Sequence, residues 1–156
     1  NIDQPIFPLP IALGEKDEIG TIKVPRFASK TQSADIQQRG IGSMLARDDL
    51  GESIDYKVPM LTLDTFMNNF AQDCRDFAMW IDVEGYAMQV IKGASEQVLS
   101  RCKFIKVEVE EIAYWSGQYL ASDVRLHMEG CGFFEVANCD KGLRQYDILF
   151  FNSQSA

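Results

Sequence analysis

W-I-D-V-E-G-Y-A-M-Q-V-I-K-G-A, residues 80–94, decides the fold, because within it an apolar strand gives way to acids and then to a helix. The apolar run 77–81 is short and continuous, which is typical of a strand covered on both faces. Asp82 and Glu84 follow it, and beyond Gly85 the apolar residues are spaced three and four apart, as on one face of a helix. The question is why a buried strand should end in two carboxylates.

The segments on either side extend this pattern to an α/β fold. K-F-I-K-V-E-V at 103–109 predicts a second strand, and F-F-E-V-A at 133–137 and Y-D-I-L-F-F-N at 146–152 predict two more, separated by a D-K-G turn. The helix between the first two strands makes them parallel neighbours, whereas the short turn makes the last two antiparallel. Residues 25–57 are polar without a clear period, so we expect a long loop or insertion there, within a single domain over 1–156.

Composition and charge exclude several classes of function. The 156 residues are 46% hydrophobic, enough for the core of one domain, and the net charge is −8 with a pI near 4.6. No cluster of Lys and Arg is present to neutralise phosphates, so we expect neither nucleic acid nor a membrane surface as a partner. The four cysteines include no C-x-x-C pair, which favours reduced thiols. We also find no leader and no apolar run near the ~20 residues of a membrane span, so we expect a cytoplasmic protein.

The acids fall where an α/β sheet places its ligands. Asp82 and Glu84 follow the first predicted strand, and Glu108, Glu110 and Glu111 end the next one. Ligands bind beyond the carboxyl ends of parallel strands, so neighbouring strands would bring these carboxylates to one rim, where they raise one another's pKa or recruit a cation. Alternatively, Asp82 or Glu84 simply stabilises the start of the following helix. The pattern alone leaves both interpretations open.

The same blocks carry a family resemblance. The 80–94 stretch, F-I-K-V-E-V-E-E, Y-W-S-G-Q, G-C-G-F-F-E-V and Q-Y-D-I-L-F-F together resemble the second half of the FkbM-like S-adenosylmethionine-dependent methyltransferases. Upstream, P-I-A-L-G-E-K-D-E-I-G, G-I-G-S-M-L and V-P-M-L-T-L-D-T-F resemble further family segments in the same order. D-V-E-G followed by K-G-A is the most specific part of the likeness.

The resemblance implies a class I methyltransferase fold, with a Rossmann-like, mostly parallel sheet that ends in an antiparallel C-terminal hairpin. It implies methyl transfer from S-adenosylmethionine to a hydroxyl of a sugar or small metabolite. We assign no metal from the sequence. By position, the implied residues are Asp82, Glu84 and Glu108 for catalysis, Ala12, Leu13 and Gly14 with Asp82 for the cofactor, and Glu110, Tyr114 and Trp115 for the acceptor.

Two family features have no counterpart in these residues. They are the opening strand with its glycine-rich turn and the strand whose final acid holds the ribose; the glycines of 40–43 neither follow a convincing strand nor open a helix. The chain therefore resembles the family's later portion without its first two βα units, and we expect it to bind S-adenosylmethionine poorly by itself. The strand 77–81 would then be an exposed edge, which invites pairing with a second copy as a homodimer.

Two functions from other classes compete with methyl transfer. A divalent-metal-dependent hydrolase is one, because carboxylates at neighbouring strand ends can hold Mg²⁺, although no phosphate-binding glycine loop accompanies them. A non-catalytic remnant that binds a partner through the exposed edge is the other.

Overall fold

A computed structural model describes residues 6–25, 41–47, 49, 51–139, 142 and 144–153. Among them, no helix is both long and apolar enough to cross a membrane. The strands are β1 (Ala12–Leu13), β2 (Glu18–Pro25), β3 (Ser53–Leu61), β4 (Phe77–Ile81), β5 (Cys102–Glu110), β6 (Phe133–Asn138) and β7 (Gln145–Asn152). The helices are α1 (Leu63–Phe70), α2 (Ala87–Lys92), α3 (Glu96–Leu99) and α4 (Ala121–Gly130).

A four-stranded sheet in the order β4-β5-β7-β6 positions the site. β4 and β5 are parallel, with Ile81 opposite Val107, and β6 and β7 are antiparallel, so both predicted pairings are confirmed. The prediction of a mostly parallel sheet is wrong. The reason is that β7 lies between β5 and β6 and runs opposite to both, which leaves one parallel pairing in a mixed sheet.

A three-stranded sheet in the order β1-β3-β2 lies before the first helix in the chain. β2 and β3 are antiparallel over their whole length, and the short β1 runs parallel to β3. β3 begins at Ser53, so the loop predicted over 25–57 extends too far; Ile54, Tyr56 and Val58 alternate with polar residues and pair with β2. Residues 26–40 of that prediction lie outside the described residues.

The helices pack on one face of the four-stranded sheet. On that face of β5, Ile105, Val107 and Val109 are buried in the core together with residues of α2 and α4, whereas Phe104 on the other face is 41% exposed. Trp80 on β4 is 70% exposed. The prediction that the 77–81 strand is covered on both faces is therefore wrong for the part of the chain that the structure describes. β4 is also an edge strand there, as expected, because it pairs with β5 alone.

Candidate active site

The chain leaves β4 through a turn with an unusual backbone. Glu84 and Gly85 have φ values of 50° and 81°, in the left-handed region that a residue with a side chain seldom adopts. Ser43, which is 2% exposed, donates a hydrogen bond of 2.7 Å from its hydroxyl to the carbonyl of Glu84 and accepts one from the amide of Leu45. The 41–47 segment therefore fixes the turn that carries the acids.

The carboxyl ends of β4 and β5 bring three acids together. One carboxylate oxygen from each of Asp82, Glu84 and Glu108 lies within 4.8 Å of the other two, and we call these residues the acid cluster. The convergence follows from the parallel pairing, since both strands end at the same edge of the sheet. Helix capping does not explain the acids, because the N-cap of α2 is Tyr86 and no side chain forms a capping hydrogen bond there.

Burial and mutual repulsion shift the protonation of these acids. Burial, together with the charges of Asp82 and Glu84, raises the pKa of Glu108 to about 7, although a hydrogen bond from Gln145 acts in the opposite direction. Burial, followed by the charge of Glu108, raises the pKa of Glu110 to about 7. The pKa of Glu84 is also raised, first by burial and then by Asp82. Near neutral pH, Glu108 and Glu110 are therefore each protonated part of the time.

The other two acids at the end of β5 differ in position. Glu110 is two residues beyond Glu108 and thus on the same face of the strand, and it is 3% exposed. Glu111 does not belong to the acid cluster. Its carboxylate accepts a hydrogen bond from the Tyr146 hydroxyl, and its Oε1 lies 3.8 Å from Nη1 of Arg125. The convergence expected from the sequence thus excludes Glu111.

A cavity of about 590 Å³ runs along the free edge of β4 and reaches the acid cluster at Asp82. Its walls are mostly apolar and include Ala12 and Leu13, two of the residues expected on the cofactor side, but Gly14 does not line it. Among the described residues that line the cavity, Asp82 is the one charged side chain. Two of the three upstream residues that the resemblance implies for the cofactor therefore line the same cavity as Asp82, and their contact with a cofactor stays a prediction.

Tyr114 and Trp115 form a packed layer next to the turn. Trp115 is 3% exposed, and the Arg47 guanidinium lies 5.1 Å from the ring centre of Tyr114 and 5.4 Å from that of Trp115. The side-chain oxygen of Gln118 accepts hydrogen bonds from the backbone amides of Tyr114 and Trp115. This burial matches a packing role, and contact of either ring with an acceptor stays a prediction.

Sequence reasoning missed Ser43 and Arg47. The G-I-G-S-M-L segment stood out only through its likeness to a family loop, and nothing local links it to a turn 41 residues later. The one local signal was a polar serine within a stretch of glycines and apolar residues.

Replacing Gly85 with alanine should destabilise the protein by about 2–4 kcal/mol. An alanine Cβ would lie 2.5 Å from Cδ1 of the buried Trp115 ring, and φ at this position is 81°. Gly117 is the matched control: its φ is 74°, but an added Cβ meets nothing within 4 Å, so Gly117→Ala should cost only the backbone strain of about 1 kcal/mol. Urea unfolding measures both. Equal losses for the two variants would contradict the close contact between Gly85 and Trp115.

Comparison with known families identifies the chain. The sequence model of the methyltransferase FkbM domain matches residues 5–134. No curated protein and no solved structure matches the sequence significantly. Since the matched region contains both the acid cluster and all the residues described as lining the cavity, and extends over most of the chain, this protein belongs to the FkbM methyltransferase family.

Proposed function

We propose that the protein takes part in S-adenosylmethionine-dependent methyl transfer to a hydroxyl of a sugar or small metabolite. The observation that carries the proposal is the convergence of Asp82, Glu84 and Glu108 at the ends of parallel strands, beside a large cavity, in a chain of the FkbM family. Methyl transfer needs alignment of the acceptor and removal of one proton, and carboxylates at a strand end can supply both.

The cavity suits S-adenosylmethionine, a cationic methyl donor, in both volume and charge. Its volume falls within the range of small-molecule sites, and its apolar walls at Ala12 and Leu13 suit a flat heterocycle. Asp82, the one charged side chain among the described lining residues, favours a positively charged group at the cluster end. S-adenosylmethionine, when bound, supplies a methyl group on sulfonium sulfur, whose carbon–sulfur bond breaks, leaving the electron pair on sulfur, as a hydroxyl oxygen attacks.

We assign orientation of the acceptor hydroxyl to Asp82 and removal of its proton to Glu108. Asp82 is exposed at the cavity mouth, where it can accept a hydrogen bond from the acceptor hydroxyl and orient it. The hydroxyl proton needs a base, and a pKa raised to about 7 makes Glu108 a balanced proton acceptor near neutral pH. We place Glu84 behind these two, where its charge supports the positive donor.

The test uses the full-length gene product, because the 156 residues alone are expected to bind S-adenosylmethionine poorly. It should bind S-adenosylhomocysteine in calorimetry and transfer a labelled methyl group from S-adenosylmethionine to hydroxyl compounds of a metabolite extract. Asp82→Asn and Glu108→Gln should each lower the transfer rate by about 100-fold, since each removes a group that aligns the acceptor or takes its proton.

Glu111→Gln is the matched control, because Glu111 ends the same strand but lies outside the acid cluster and Gln keeps an acceptor for Tyr146. Its transfer rate should match that of the unmodified protein. Failure of the gene-encoded polypeptide to bind S-adenosylhomocysteine would overturn the proposed function without any knowledge of the acceptor.

One observation favours partner binding as the second candidate function. Phe104, Phe134 and Phe151 form a row of ring contacts across neighbouring strands on the open face of the sheet, with Phe104 and Phe134 41% and 45% exposed. Exposed apolar groups of this kind often mark interaction surfaces, and the free edge of β4 could pair with a second copy. Absence of S-adenosylhomocysteine binding would leave this function as the stronger one.

A further inference from the structure

The cations around the acid cluster already have anionic partners. The Arg47 guanidinium is close enough to interact with Glu84, but Asp49 holds it at 2.8 Å. Lys106 lies on the same face of β5 as the cluster, and Asp147 binds it at 2.9 Å. The carboxylates of the cluster therefore lack a cation of their own among the side chains that the structure describes.

A second observation comes from the oxygens beneath the cluster. Glu110 is 97% buried, and its Oε1 has no hydrogen-bond partner within the described ranges. Oε2 of Glu108 is likewise buried without a partner, although Gln145 hydrogen-bonds to the same carboxyl group. Both side chains leave the same face of β5 at its carboxyl end, and Glu110 lies close enough to Glu108, Glu84 and Asp82 to interact with them electrostatically. Buried oxygens are normally paired, so each unpaired one calls for an explanation, of which a bound ion is one and a catalytic role is another.

We propose that Asp82, Glu84 and Glu108 bind one hard divalent cation, Mg²⁺ or Ca²⁺, at the carboxyl ends of β4 and β5. Ligand oxygens on opposite sides of such an ion are about twice the metal–oxygen distance apart, roughly 4.2 Å for Mg²⁺ and up to about 5 Å for Ca²⁺. The three oxygens lie within 4.8 Å of one another, which is within the range for Ca²⁺ and would require a small approach of the side chains for Mg²⁺. An all-carboxylate set without His or Cys favours a hard cation over Zn²⁺.

The bound ion would neutralise the cluster and hold the acceptor oxygen. This role rests on the proposed function, whereas ion binding itself does not. A bound cation favours the ionised form of the carboxylates that hold it, so Glu108 would be a weaker base in the metal-bound protein than in the metal-free one. A hydroxyl coordinated to a divalent ion releases its proton more readily.

The experiment is a titration of the gene-encoded polypeptide with Mn²⁺, followed by the electron paramagnetic resonance signal of the free ion, with no donor or acceptor present. We expect one site with a Kd of about 0.1–1 mM, competed by Mg²⁺ or Ca²⁺. Asp82→Asn and Glu108→Gln should each weaken binding by about tenfold or more, while Glu111→Gln should bind Mn²⁺ as the unmodified protein does. A thermal shift with Mn²⁺ that is lost in Asp82→Asn is the second readout.

The Mn²⁺ titration either supports or rejects the cation site. Saturable binding that the two cluster variants weaken supports the site. Absence of binding at several millimolar Mn²⁺, or binding that Asp82→Asn and Glu108→Gln leave unchanged, overturns it. Because Asp82 is exposed, its variant should fold, and circular dichroism verifies that. Mn²⁺ binding without S-adenosylhomocysteine binding would reject the proposed function but keep the metal site, and the reverse result would do the opposite.

Discussion

Gly93→Ala is expected to destabilise the protein by about 3–5 kcal/mol, or to prevent folding, because it drives a side chain into backbone. Gly93 is the glycine of the K-G-A motif and ends α2. A Cβ built on it would lie 2.1 Å from the carbonyl oxygen of Gly14, which follows β1. The contact is backbone against backbone, so no rotamer change relieves it. The glycine thus permits β1 to pass directly over the end of the helix.

The same residue ties a third element to this crossing. The carbonyl of Gly93 accepts a hydrogen bond of 3.2 Å from the amide of Asp64 in the first turn of α1. A displacement of Gly93 would therefore disturb α1 as well as β1, which both border the cavity through Leu63 and Leu13. This added disturbance is why the expected loss exceeds that of an ordinary overpacked site.

Gly130→Ala provides the control for this prediction. Gly130 ends α4, and a Cβ there would meet nothing within 4 Å, so the substitution should be neutral or stabilise the protein by about 0.5–1 kcal/mol through the unfolded chain. Urea unfolding followed by circular dichroism compares the two variants. Matching midpoints would show that β1 does not approach α2 as closely as the structure indicates.

The parts of the fold that were predictable depend on local patterns. Continuous or alternating apolar runs gave the strands from residue 77 onward, and the short turn required the antiparallel closing pair. The exposure of Trp80 was not predictable from the sequence. An apolar run predicts a strand with two buried faces, but it does not show which element, if any, covers the second face. The position of β7 between β5 and β6 is likewise a long-range choice, and it makes the sheet mixed.

The candidate site divides in the same way. Asp82 and Glu108 converge because parallel neighbours end at one edge, an argument that needs only the strand assignments. Strand alternation also separates Glu110 from Glu111, which the sequence alone could have shown. Ser43, by contrast, reaches Glu84 across 41 residues, and no local pattern encodes such a contact.

Stability should fall as pH rises from about 5 to about 8, by roughly 2–4 kcal/mol, when a chelator keeps the protein free of metal. The pKa values of Glu108 and Glu110 are each raised from 4.5 to about 7, so over this range the folded protein retains protons that the unfolded chain releases. Their contribution is complete below the unfolded value and is lost as pH passes through the folded one. The full linkage for two such shifts would be larger, but solvent near the cluster screens it.

The double variant Glu108→Gln with Glu110→Gln tests the cause of this pH dependence. It cannot ionise at either position, so its free energy of unfolding should stay nearly constant between pH 5 and 8 and exceed that of the unmodified protein at the upper end. Glu111→Gln should keep the original slope, because Glu111 bonds to Tyr146 away from the cluster. Urea unfolding at half-unit pH intervals measures all three proteins. A flat profile for the unmodified protein would mean that the acids at the ends of β4 and β5 are solvated well enough to ionise together, which would also remove the electrostatic reason for a bound cation.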